Sequence, residues 1–352
     1  MKAGTGTSLP DWQRAHGKPA LRGDLRCSPQ DFQVDEELGF EPDGEGEHDY
    51  LWLEKSGANT AWVAERLAGF AGIHVRDVGY AGMKDRHAVT RQWFSVRRPA
   101  GAPADWSRFN LDGVRILKAT RNRRKLRRGA HRGNRFRIVL RMVDSPVRDL
   151  EERLSTVAQQ GVPNYFGEQR FGRDASNLQL AERLFAGERL SRPRRSLALS
   201  AARALIFNSV LERRVADDTW NQLLPGECAN LDGSGSVFAV SEVDTELRLR
   251  LESMDIHPTG PLWGKSSPGK NALGENGNWS LLEQSVAGQF ETHARGLERH
   301  GVESARRALR LAVHDLKWET GAETLTVEFS LCSGAFATSV LRELVLYRDV
   351  AA

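Results

Sequence analysis

The chain has 352 residues, of which 40% are hydrophobic and 27% charged, with a formal net charge of +4. This is an ordinary globular mixture, long enough for two domains, and no apolar run approaches the roughly 20 residues that span a bilayer. Three separated cysteines (Cys27, Cys228, Cys332) and nine dispersed histidines argue against a disulfide framework or a dedicated metal site, and an N-terminus without an apolar segment leads to the expectation of a cytoplasmic protein.

Residues 31–49, DFQVDEELGFEPDGEGEHD, are strongly acidic, and from residue 35 onward read as a solvated loop. YLWLE, residues 50–54, alternates like a half-buried strand. In NTAWVAERLAGFAGI, Asn59 or Thr60 can cap a helix, and Trp62, Val63, Leu67 and Phe70 recur at helical spacing. GYAGMKDRHAVTRQWFSV, residues 79–96, gives a short apolar entry, a glycine-flanked polar loop with Lys84, Asp85 and Arg86, and a strand over residues 90–96. Residues 121–141, RNRRKLRRGAHRGNRFRIVLR, hold ten lysines and arginines and no acidic residue. The end of that run is a predicted strand with Phe136, Ile138 and Leu140 on one face and arginines on the other.

Helical patterns dominate residues 146–212, broken by VPNYFGEQRFG (162–172) and by SRPRRS (191–196), with a clear amphipathic helix over 201–215. HPTGPLWGKSSPGKNALGENGNWS, residues 257–280, reads as a long loop. ETLTVEFSL (323–331) alternates as a strand, CSGAF turns, and ATSVLRELVLYR reads as a helix. A strand-rich opening, a helical middle and a strand–loop–helix close imply a split core carrying an inserted domain.

Three pieces carry chemistry. Arginines opposite a phenylalanine on one strand suit a surface that follows phosphates and offers a ring to a base. Asp85 between two cations is held ionised, and such a carboxylate can be a nucleophile, a general base or a metal ligand. Ser333 can cap the final helix, whose start can receive an anion or an oxygen, with Phe336 at the same turn.

In chain order, DFQVDE, GMKDRHAVTRQ, GNRF, PNYFGEQRFG, LPGE, GPLWGK and GAFATSVLREL resemble the successive motifs of the TruD family of pseudouridine synthases. That family converts a uridine in RNA into its C-glycoside isomer. The resemblance spans nearly the whole chain. One departure is LCSGAF, where the family pattern implies proline and a small residue at Cys332 and Ser333.

The resemblance implies an α+β fold: a pseudouridine-synthase core with a mixed, mostly antiparallel sheet flanked by helices, plus an inserted α/β TRUD domain. Residues 1–158 are expected to form the first part of the core, 159–308 the insertion, and 309–352 the closing strand and helix. Asp85 is implied as the catalytic aspartate, and Phe32, Asn134 and Phe336 as substrate-contacting positions. Asn134 offers both a donor and an acceptor to a uracil edge or a ribose hydroxyl. Phe136, where related synthases carry tyrosine, is assigned packing. Arg26 is the expected ion-pair partner of Asp85, because its strand should lie beside the loop. Lys84 is nearer in sequence and plays a supporting part, but neighbouring side chains on an extended segment point to opposite faces.

The implied reaction needs no metal and no cofactor, since uracil is both leaving group and returning nucleophile. The implied partner is tRNA, at the uridine of position 13, with neither a membrane nor an obligatory protein partner. Asn164, Gln169 and Arg170 are expected to bond backbone at a structural junction, with direct RNA contact by PNYFGEQRFG as the alternative, Lys265 can touch phosphate, and Arg192, Arg194 and Arg195 can clamp RNA. The rival readings are a non-catalytic RNA-binding or RNA-chaperone protein on the same fold, and a metal-dependent nuclease using Asp85, Lys84 and the acidic stretch.

Overall fold

The structure, a computed structural model, describes residues 9–98, 104–141, 148–265 and 278–351. The first 141 residues build β1 (Arg22–Leu25), β2 (Phe32–Glu37), β3 (His48–Lys55), α1 (Thr60–Ala71), β4 (Val78–Tyr80), β5 (Val89–Arg97), β6 (Val114–Asn122) and β7 (Gly133–Arg141). A helical stretch follows with α2 (Arg148–Gln160), β8 (Val162–Pro163), α3 (Ser176–Phe185) and α4 (Arg192–Ala216). Then come β9 (Cys228–Leu231), β10 (Val237–Ala239), α5 (Thr245–Glu252), β11 (Ile256–Leu262), α6 (Asn278–Gln289), α7 (Glu291–Arg299), β12 (Ala305–Ala308) and β13 (Arg310–Leu311). The chain closes with β14 (His314–Thr320), β15 (Thr324–Cys332), α8 (Ala337–Leu344) and β16 (Leu346–Asp349).

Two compact units result: Pro19–Glu151 with Val313–Gly334 and Leu344–Ala352, and Glu152–Ala312 with Met1–Lys18 and Ala335–Glu343. The first holds a sheet of ten strands among the described residues, in the order β14-β15-β7-β2-β5-β3-β6, with β1 paired to β7 and β16, and β4 to β5. Pairs β2–β5 and β1–β16 are parallel and the others antiparallel. Its fold is therefore mixed, mostly antiparallel and flanked by helix.

Period-two alternation explains this sheet. On β7, Phe136, Ile138 and Leu140 are buried while Arg135, Arg137 and Arg141 are exposed. On β3 and β5, Leu51, Leu53 and Phe94 face α1, which buries Val63 and Leu67 against them. Each such aliphatic side chain contributes about 1.5–3 kcal/mol when fully buried. Helix α1 stops where Gly72 turns left-handed (φ 67°) and returns its N–H to Ala68.

The second unit carries an antiparallel sheet, β10-β9-β11-β12, against which α4 packs together with α3 and α7. Three sequence readings change here and in the closing segment. SRPRRS is not a break but the start of the 25-residue α4, because proline is tolerated in a first helical turn. Residues 257–262 are strand, not loop: β11 pairs with β9 over Ile256–Pro258 and with β12 over Thr259–Leu262. Being paired on one side at a time, it accommodates Pro258 and Pro261 without breaking a two-sided ladder. The end of ATSVLRELVLYR is also strand, since β16 leaves the helix to pair with β1.

Candidate active site

The loop of residues 81–88 joins β4 to β5, and the sheet unit grips its main chain at almost every residue. Gly129 N–H donates to the Ala81 carbonyl at 2.8 Å, and Gln92 Nε2 to the Gly82 carbonyl at 3.2 Å. The Lys84 N–H donates to Thr60 Oγ1 at 3.0 Å, and that hydroxyl donates to Gln92 Oε1 at 2.9 Å. Thr60 is thus committed to the loop, while Asn59 takes the N-cap position of α1. Lys55, 1% exposed, donates from Nζ to the carbonyls of Ala58 (2.9 Å), Asp85 (3.1 Å) and Lys84 (3.4 Å). Burial pulls its pKa down to about 8, with the Asp85 charge opposing and Lys84 reinforcing.

The Asp85 carboxylate projects from this cradle. Its Oδ2 lies 3.1 Å from Arg26 Nη1, and its Oδ1 accepts the His87 N–H at 2.9 Å. The same Arg26 nitrogen is 3.1 Å from Asp349 Oδ2 on β16, and its guanidinium lies 4.7 Å from the centre of the Phe32 ring. Arg26 directly follows β1 and has φ 62°, a left-handed conformation that disfavours a side-chain-bearing residue by about 1–2 kcal/mol. Two carboxylates and a ring hold it there.

The aromatic floor continues from Phe32 to Phe136 (6.3 Å, edge-on) and on to Phe329 (5.4 Å, stacked). Phe136 is buried, in keeping with a packing role. Phe32 is 5% exposed and keeps its upper face against Arg26. Asn134, opposite Glu36 across β2–β7, is 9% exposed, and its Oδ1 is buried without a hydrogen-bond partner among the described residues. A buried unfilled acceptor fits an incoming N–H or O–H donor.

The charges flanking Asp85 in sequence turn away from it. Lys84 Nζ makes a buried pair with Glu36 Oε2 at 2.7 Å, and Arg86 Nε donates to the Gly57 carbonyl at 3.1 Å. His131 lies behind this pair, with Nε2 3.2 Å from Ser333 Oγ. Burial and the Lys84 charge lower its pKa, and Glu36 opposes them. Ser333 therefore sits in the turn after β15 and does not cap α8, which begins four residues later.

The acidic stretch is a largely exposed loop over residues 38–47, but its two ends belong to β2 and β3 and several of its carboxylates are paired. Asp31 pairs with Arg141, Asp35 with Arg91, Glu45 with Arg123 and Asp49 with Arg98. Part of the basic run is neutralised in this way, while Arg124, Arg127, Arg132 and Arg135 are exposed and have no acidic partner among the described residues. No group of three acidic, histidine or cysteine side chains among the described residues is arranged to hold a metal.

The model of the family described as tRNA pseudouridine synthase D (TruD) matches residues 14–188 and 181–344. A Methylococcus capsulatus tRNA pseudouridine synthase D is 48% identical over 95% of this chain and 94% of its own. An Aeromonas hydrophila protein of the same name is 45% identical over 94% of this chain and 92% of its own. The chain belongs to the TruD family. A Methanosarcina mazei crystal structure described as a tRNA pseudouridine synthase D shares the fold, with TM-score 0.71 and 22% identity over 94% of this chain and 95% of that one.

The TruD motifs divide between the units. Asp85, Lys84, Arg26, Phe32, Asn134 and Phe136 gather in the sheet unit, whereas Phe336 lies in the other, just before α8. Its ring is 6.3 Å from Phe166 and 5.8 Å from the Arg170 guanidinium. In PNYFGEQRFG, Asn164 Nδ2 donates to the Ala308 carbonyl at 2.9 Å, as a junction residue would. Gln169 is exposed, and Arg170 bonds the Ser200 hydroxyl rather than backbone. Lys265 N–H and carbonyl pair with residues 302 and 304.

Sequence reasoning passes over Glu36, Lys55, Gln92, His131 and Asp349. A usable signal exists for three of them. Glu36, Lys55 and Gln92 occupy the inward parity of alternating strands, in line with Val34, Leu53 and Phe94. A polar side chain at such a position must find a partner inside. Nothing local marks Asp349.

Proposed function

We propose that the protein isomerises uridine to pseudouridine in tRNA, at position 13, with Asp85 as the attacking carboxylate. The observation that carries this reading is the Asp85–Arg26 pair at 3.1 Å, held on a loop whose main chain is anchored by Lys55, Thr60 and Gln92. Arg26 pairs with the carboxylate and fixes its orientation. Attack at C6 of uracil or at C1′ of ribose starts from that ion in either case. The C1′–N1 bond breaks, the base turns in the pocket, and C1′ joins C5. The C5 proton leaves and N1 gains one, so the balance closes without a cofactor.

The target atoms are inaccessible in a stacked helix, so the nucleotide is flipped out. Asn134 Oδ1 receives a donor from the base edge or a ribose hydroxyl, filling its open acceptor. Phe32 walls the pocket beneath Arg26, Phe136 packs behind it, and Phe336 is a further substrate-contacting position. Residues 159–308 are the family-specific insertion. Its Arg192, Arg194 and Arg195, in the first turn of α4, add an electrostatic contact to RNA. The exposed Arg124, Arg127, Arg132 and Arg135 provide another. An enzyme of tRNA works in the cytoplasm, and no described helix is long and apolar enough to cross a membrane.

The test is tritium release from tRNA labelled at C5 of uridine, comparing wild type with Asp85→Asn. Release by wild type only, with tRNA binding retained by the variant, supports the assignment. Tight binding with no release from either protein leaves an RNA-binding protein and removes the isomerase.

A further inference from the structure

The unit containing α3 and α4 holds a guanidinium whose surroundings call for an anion. Arg170 ends the turn Glu168–Arg170 and lies among side chains of its own unit. Its Nη1 donates to Ser200 Oγ on α4 at 2.9 Å. Its Nε is buried and bonds nothing among the described residues. The guanidinium stands 5.2 Å from the centre of Phe166 and 5.8 Å from that of Phe336. A second guanidinium, Arg307, stands 4.3 Å from the same Phe166 ring. Arg307 is anchored by donating from Nη2 to Asn164 Oδ1 at 2.7 Å.

A guanidinium has five N–H donors, and here a single side-chain hydrogen bond among the described residues uses them. No carboxylate among the described residues pairs with Arg170. Two other guanidinium groups of the same unit are matched by carboxylates: Arg214 pairs with Glu227, and Arg306 with Glu283 at 2.7 Å. Arg203, with no carboxylate partner among the described residues, spends its donors on the carbonyls of Leu262, Trp263 and Glu303, and Arg310 spends its own on His257 Nδ1 and the carbonyls of Leu251 and Ile256. Arg170 has neither arrangement. Burial alone acts on its pKa and lowers it, so nothing offsets the loss of water. Two cations against one ring add mutual repulsion.

We propose that Arg170 is the seat of a binding site for a backbone phosphate of the tRNA, a site that rests on tRNA being the substrate. The bidentate fork of arginine matches a phosphodiester. Phe166 and Phe336 hold the fork in place by their ring faces and keep its remaining donors turned to the incoming anion. Ser200 fixes its rotation. This gives Phe336 a part in presenting Arg170 as well as in touching the substrate. It also gives GEQRFG a ligand-binding role beyond that of a junction.

The experiment measures tRNA affinity of wild type, Arg170→Met and Arg170→Lys across a salt series. Losing one phosphate contact lowers the slope of log K against log salt by about 0.9 and weakens binding several-fold at low salt. Arg170→Lys keeps the charge, so it restores the slope while losing the bidentate geometry. An unchanged slope and affinity in a folded Arg170→Met overturns the proposal. Should Arg170→Met fail to fold, wild-type protein decides: modification of Arg170 by phenylglyoxal, located by peptide mass, is blocked by bound tRNA, and equal modification with and without tRNA overturns the site. C5 tritium release by wild type is run alongside. Turnover with an unaltered Arg170 response removes this site and leaves the isomerase. Neither turnover nor binding by wild type removes both.

Discussion

Replacing Lys55 by methionine separates what stabilises the fold from what aims the carboxylate. The folded pKa of about 8 against 10.5 for a free lysine means that burial destabilises the ammonium relative to water, although it remains the major form at neutral pH. That difference corresponds to roughly 3 kcal/mol. Because the folded pKa is depressed, the unfolded chain binds more protons between pH 8 and 10.5, so this group makes stability rise with pH across that window. Activity should run the other way. Once Lys55 loses its proton, the bonds it donates to the Asp85 and Lys84 carbonyls weaken and the loop drifts. A displacement of about 1 Å costs on the order of 100-fold in rate. The assay is kcat for C5 tritium release across pH 6.5 to 9.5 for wild type, Lys55→Met and Lys55→Arg, with melting temperatures at each pH. Wild-type kcat should fall above about pH 8 while its melting temperature gains relative to Lys55→Met. Lys55→Met should be slow at every pH and lack that limb, and Lys55→Arg should recover part of the rate and push the limb higher. Any limb shared by Lys55→Met belongs to the RNA. A flat wild-type profile, or Lys55→Met within about threefold of wild type throughout, would refute the anchoring argument.

Arg26→Ala leaves Asp85 and Asp349 without their shared cation, and kcat should drop by about 100-fold or more with tRNA affinity nearly unchanged; a loss confined to affinity would count against the pairing role. Asn134→Ala removes a side chain whose Oδ1 has no protein partner, so kcat/KM should fall while the melting temperature holds, and a large drop in melting temperature would show a structural role instead. Lys84→Met strands the buried Glu36 carboxylate and should destabilise by roughly 3–5 kcal/mol, read by urea unfolding, whereas Lys84→Met with Glu36→Gln should recover much of that. Neutralising Arg124, Arg127, Arg132 and Arg135 together should lower the salt slope of tRNA binding, while Arg141→Gln, which loses only its Asp31 pair, should leave the slope alone.

Much of the site is legible in the residues themselves. The ordered motifs name the family, and it is that resemblance, rather than the charges around it, that singles out Asp85 in GMKDRHAVTRQ. Lys84, Asp85 and Arg86 do not, however, form one charged setting. Lys84 goes inward to Glu36, Arg86 goes to a carbonyl, and the cation at Asp85 comes from Arg26, which precedes the acidic segment. Ser333 has the residue type and place of a helix cap, yet its hydroxyl meets His131.

Local elements can be had from the chain alone, because alternation and helical spacing depend on neighbours within a few residues. Strands β3, β5, β7 and β15, helix α1 and the second half of α4 follow from that spacing. Which charges meet is a different matter, settled by the folded arrangement. The acidic stretch and the basic run look segregated along the chain, but the sheet order sets Asp31 against Arg141 and Glu45 against Arg123. The parallel pairing of β1 with β16 brings Asp349 to Arg26 from the far end of the chain. Strand register and crossovers set these partners, and the residues on either side of a charge carry no record of what will stand across from it.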